Sequence, residues 1–99
     1  MIIELTESPR KDKRFRVRLD TGKSYDFGYP NAFTFIDGAD EKVKLNYQKR
    51  HLGNTTEKTL ISSLVPSPSL FSYYLLWGKY RDIYKNIGLL NDLWHKKHG

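Results

Sequence analysis

Two alternating runs around a tight turn constrain this chain more than any other feature. In RFRVRLDTGKSYDFGYP, Phe15, Val17 and Leu19 recur with period two, and so do Tyr25, Phe27 and Tyr29. Successive side chains of a strand point to opposite faces, so each run carries one apolar face. Between them lies Asp20-Thr21-Gly22-Lys23, with glycine where a hairpin turn needs positive φ. The pair reads as a β-hairpin, ended by Gly28 and Pro30. Upstream, Ile2–Leu5 is a candidate short strand, cut off by the polar stretch TESPRKD.

Helical signals follow. Asp37 is the expected N-cap of a helix over residues 37–52, with Asp40 and Glu41 in its first turn and Lys49, Arg50 and His51 in its last. Ala39, Val43 and Tyr47 fall on one face, and Gly53 marks the stop. Residues 53–69, GNTTEKTLISSLVPSPS, read as a long partner-facing loop with an apolar island at Leu60, Ile61, Leu64 and Val65. The competing reading is a short helix or strand over Thr59–Val65 packed on the core. Ser67 and Pro68 suit the N-cap and first position of a helix running to Trp77 and bending at Gly78. Tyr80, Ile83, Tyr84 and Ile87 then form a helical stripe that Leu90, Leu93 and Trp94 extend. The expected class is α+β in one domain, residues 1–99. Its β-hairpin region, or small antiparallel sheet, occupies residues 1–30, and two to three C-terminal helices pack on it, with residues 70–97 as the aromatic-rich helices.

Charge sets the second constraint. Seventeen Lys and Arg against eleven Asp and Glu give a formal net charge of +6 in 99 residues, a balance that favours acidic partners. Arg14, Arg16 and Arg18 alternate along the first hairpin strand, which would place guanidinium groups about 6.6 Å apart on one face. Their planar forks suit phosphate and carboxylate. With Lys13, and with Lys49 and Arg50 from the helix, they are the candidate anionic-partner residues. The plain alternative is a solvated outer face, with Lys49 and Arg50 complementing the helix dipole.

The segment LFSYYLLWGKY is apolar around most of one short helix. Phe71, Tyr73, Tyr74 and Trp77, with Leu64 and Val65 of the preceding segment, are candidate protein-interface residues, against the alternative that they form the core. The chain has no cysteine, which excludes disulfides, thiolate catalysis and cysteine metal sites. His95 and His98 have a weak metal-ligand spacing, but flanking lysines repel cations and no metal site is expected. There is no Gly-rich phosphate loop and no carboxylate pair in a catalytic context, so the chain reads as a non-enzyme with no catalytic residues, cofactor or small-molecule substrate. Nor is membrane insertion expected, because the longest apolar run, Tyr73–Trp77, is far below the ~20 residues of a spanning helix. The start, MIIELTESPR, lacks the pattern of a signal peptide.

Taken together, RVRLDTGKSYDFG, KLNYQKRHLG and SLFSYYLLWGK resemble a family of small basic proteins of nucleocytoplasmic large DNA viruses, the iridovirus, phycodnavirus and mimivirus-like group. The resemblance is carried by Val17, Leu19, Gly22, Lys23, Phe27, Gly28, Tyr47, Arg50, His51, Ser72, Leu75, Leu76 and Trp77. The chain departs from it at Phe35-Ile36-Asp37, where the family often has His-x-Asp, and at SSLVPSPSLF. The resemblance implies a virion and host-cytoplasm (virus factory) setting. It carries no established chemistry. The expected function is therefore a non-enzymatic structural protein, a minor capsid component whose partners are viral capsid proteins or another acidic protein surface. The second hypothesis is a nucleic-acid-binding module gripping phosphates through the basic hairpin.

Overall fold

A computed structural model describes residues 1–98 and gives the α+β arrangement expected, with one strand more than the hairpin alone. Strands β1 (Ile2–Glu7), β2 (Phe15–Leu19) and β3 (Ser24–Phe27) form an antiparallel sheet in that order. Gly22, at φ 89°, supplies the left-handed turn that closes β2 onto β3. The register puts Phe15 opposite Phe27, Arg16 opposite Asp26 and Val17 opposite Tyr25. Val17, Leu19 and Phe27 turn to the core.

Between the sheet and the first helix, Phe35–Asp37 make one 3-10 turn, ended by Gly38 at φ 114°. Helix α1 (Glu41–Gly53) starts three residues later than Asp37 suggested. Its cap is Asp40, whose carboxylate accepts the Val43 N–H at 3.0 Å. Asp37 is not free to serve, because its carboxylate accepts the N–H and hydroxyl of Thr34 at 2.9 and 2.7 Å and both terminal guanidinium nitrogens of Arg14 at 2.6 Å.

Residues 53–69 are not one long loop. They contain helix α2 (Thr55–Ser62), capped by the Asn54 side chain, which accepts the Glu57 N–H at 3.1 Å. The helix begins earlier than the Thr59–Val65 alternative, because Asn54 is a good cap and Ile61 is an apolar anchor that reaches the core. Leu64 ends it in the left-handed region, φ 52°, a conformation unfavourable for a branched side chain by about 1–2 kcal/mol. Burial of Leu64 offsets that cost.

Helix α3 (Pro68–Phe71) opens as its sequence predicts: Ser67 Oγ accepts the Leu70 N–H at 3.2 Å and proline occupies the first turn. It continues into a π-helical turn, Ser72–Leu76, where the Trp77 N–H reaches back to the Ser72 carbonyl at 3.2 Å. Leu70, Phe71, Leu75 and Leu76 are all buried, and the Phe71 ring meets Tyr25 and Phe27 at centroid distances of 5.6 and 5.9 Å. At Gly78 a Cβ would sit 2.0 Å from the Tyr74 carbonyl oxygen, so the bend there needs glycine for close approach. Asn86, fully buried, holds the bend from the other side. Its amide donates to the carbonyls of Leu75 and Tyr80 at 3.0 and 2.8 Å and accepts the Tyr80 N–H at 2.9 Å.

Helix α4 (Ile83–His98) buries Leu90 and returns to the sheet edge. There Asn91 accepts the N–H of Ile2 at 2.9 Å and donates to its carbonyl at 3.1 Å, taking the place of a fourth strand at that residue.

Candidate functional site

The principal concavity is a cleft of about 430 Å³ where the β1–β2 loop, the segment after β3, α1, the start of α2 and α3 converge. The spacing Tyr47, His51 puts both rings on one face of α1, one turn apart. Tyr47 stacks on Trp77, with centroids 4.4 Å apart and planes 14° from parallel, and His51 lies 4.1 Å beyond Tyr47. Burial raises the Tyr47 phenol well above its ordinary range, and the nearby Ser72 hydroxyl opposes that shift only in part. The phenol therefore stays protonated at neutral pH. His51 Nδ1 stands 2.8 Å from a Glu57 carboxylate oxygen. The separation is that of an ion pair, but Nδ1 has no well-directed hydrogen bond. Lys13 and Arg50 line the cleft from the β1–β2 loop and α1, and Tyr29, 71% exposed, lines it too.

The arginine row looks different in place. Arg14 precedes β2 and is bound to Asp37; Arg16 pairs with Asp26 across the hairpin at 2.7 and 3.0 Å; Arg18 meets Glu4 of β1 at 3.4 Å. The hydrogen bonds to Arg14 and Arg16 hold the Asp37 and Asp26 carboxyls below their usual range. All three guanidinium groups thus have carboxylate partners within the chain, and an incoming anion would have to displace them. Arg16 and Arg18 staple β2 to its two neighbouring strands, and Arg14 ties the start of β2 to the 3-10 turn. Lys13, Lys49 and Arg50 have no carboxylate partner among the described residues, and Lys13 Nζ lies 5.6 Å from the Tyr29 ring centre.

The expected protein interface is also redistributed. Phe71, Trp77 and Leu64 are buried, because one short helix sits between the sheet and α4 and can turn apolar residues both ways. Tyr73 and Tyr74 are half-buried and in edge contact at 5.2 Å, and burial raises both phenols. Val65 is exposed.

The residues that sequence patterning did not single out as a surface are on α1. Lys44, Tyr47, Gln48 and His51 face the body, and the helix has no buried residue at all. Gln48 donates to the Trp77 carbonyl at 3.0 Å and Lys44 to the Gly78 carbonyl at 3.3 Å. Lys44 Nζ and the Arg81 guanidinium also flank the Phe35 ring, at 4.2 and 4.0 Å from its centre. Leu45 and Leu52 are left exposed on one flank beside Lys42 and Lys49, and Val43 on the opposite flank, toward Arg50. The signal was present in the sequence, as a helix whose apolar residues do not share a stripe.

Residues 3–51 match a family described as a family of unknown function (DUF5754). The similarity runs from β1 nearly to the end of α1 and thus includes Lys13, Tyr47, Arg50 and His51 of the cleft. No curated protein and no solved structure matches the chain. Among the described residues no helix is long and apolar enough to cross a membrane, and no three His, Asp or Glu side chains come together as metal ligands would.

Proposed function

We propose that this chain is a non-enzymatic structural protein that adheres to an acidic protein surface through the outer side of α1, as a minor capsid component of a large DNA virus would. The observation that supports this reading is the inverted helix. A helix normally turns its apolar stripe inward, yet α1 is seated by Lys44, Tyr47, Gln48 and His51 and exposes Val43, Leu45 and Leu52. Leu45 and Leu52, seven residues apart on one flank and beside the unpaired Lys42 and Lys49, suit a partner with a small hydrophobic strip bordered by carboxylates. The nucleic-acid reading of the hairpin has less support, since its arginines are already neutralised.

The test compares two probes, an acidic amphipathic helical peptide and duplex DNA, at about 50 and about 200 mM salt. Adhesion through α1 predicts peptide binding that persists in part at the higher salt, because apolar burial is insensitive to screening. Leu45→Ser with Leu52→Ser should weaken it about tenfold or more. DNA binding that vanishes at the higher salt and on Arg16→Ala, with no peptide binding, would overturn the proposal.

A further inference from the structure

The cleft itself is chemically one-sided. Its unpartnered charged groups are donors, the Lys13 ammonium and the Arg50 guanidinium, and the Tyr47 phenol and Ser72 hydroxyl lie together beside them. Its one carboxylate, Glu57, has the His51 imidazole 2.8 Å away. The two cations come from different segments, and neither has a carboxylate within the described residues. A group that complements several convergent donors must be rich in acceptors and negatively charged. The volume, about 430 Å³, exceeds what a bare oxyanion fills and falls within the range of small-molecule sites. Beside the donors, the exposed Tyr29 ring offers a flat apolar face at the same cleft.

We propose that this cleft is a binding site for a phosphate monoester attached to a small planar group, with Lys13 and Arg50 gripping the phosphate and Tyr29 covering the ring. The site is separate from the outer side of α1, where Leu45 and Leu52 lie, and stands or falls independently of adhesion there. A dianionic phosphate is favoured over a carboxylate because cations arrive from two segments and hydroxyl donors are close by, whereas a carboxylate offers only two oxygens.

The experiment is a nitrogen–proton NMR titration of the whole chain with phenyl phosphate, inorganic phosphate and benzoate, each at constant ionic strength made up with chloride. The proposal predicts saturable shifts at the amides of Lys13, Tyr29, Arg50 and Ser72, with phenyl phosphate tighter than phosphate and benzoate weakest. Arg50→Gln removes an exposed, unpartnered side chain, so the fold survives, and it should weaken phenyl phosphate roughly tenfold or more. Tyr29→Ala should erase the preference of phenyl phosphate over phosphate while leaving phosphate binding intact. Leu45→Ser with Leu52→Ser should change neither. Shifts that never saturate, that spread evenly over the exposed lysines, or that benzoate reproduces at equal concentration would overturn the site. So would an Arg50→Gln chain that binds phenyl phosphate as tightly as the parent.

Discussion

Helices α3 and α1 are fastened in opposite ways. Helix α3 and its π turn place Leu70, Phe71, Leu75 and Leu76 wholly inside, each apolar side chain worth about 1.5–3 kcal/mol relative to exposure. Helix α1 has no fully buried residue; its inner side chains are half-buried and held by directional contacts: an amide and an ammonium on the carbonyls of Trp77 and Gly78, and a tyrosine laid flat on Trp77. Two residues of α3 and two of the π turn thus sit at the centre of the core. The longer helix is hung on the carbonyls that the π turn leaves unpaired at its end. Stability and presentation are divided between neighbouring elements, and the low-stability partner is the one that carries exposed leucines and cations.

The contrast breaks most severely at Phe71. Phe71→Ala should cost about 3–5 kcal/mol, a large part of the roughly 5–15 kcal/mol available to a small domain, and the urea midpoint should fall steeply with the slope unchanged. Asp37→Asn comes next. It releases Arg14 and the Thr34 donors ahead of α1 and should cost about 1–2 kcal/mol at neutral pH. Because the folded carboxyl is held below its ordinary range, its stabilisation is complete at neutral pH and drains away only as pH falls below about 4, toward the depressed value. Thermal melts between pH 7 and pH 2 should therefore fall less steeply for the Asn variant than for the parent. Gln48→Ala is the mildest change, about 0.5 kcal/mol globally. Its effect should appear in amide exchange, faster across α1 and unchanged in α3. Equal acceleration in both helices would show that they open together and that the division is wrong.

Much of the sheet was legible beforehand. The period-two runs around Gly22 placed β2 and β3, and the Ser67-Pro68 pair placed the start of α3, because both signals are local. The pairing of the arginines was only half hidden. Once the hairpin is registered about its turn, Arg16 falls opposite Asp26, whereas Arg14 and Asp37 are 23 residues apart and meet only through the tertiary fold. That long-range pair also explains why Asp37 does not cap α1. The loop expected over 53–69 overlooked Asn54 as a cap, since the polar run GNTTEK masks a helix whose single strong anchor is Ile61. The cleft was half visible: Lys13 and Arg50 were singled out for charge. Tyr47, Ser72 and Trp77 come together only when α1 crosses the π turn, and no pattern along the chain encodes that crossing.

Asn91 has a consequence for how the chain is made. The amide that satisfies Ile2 lies 89 residues further on, so during synthesis the first strand is complete long before its closing side chain exists. Through that interval the Ile2 N–H and C=O are open to water or to the same strand of another nascent chain. The final helix is therefore a latch as well as a buttress, and the last element made is the one that closes the edge of the first strand.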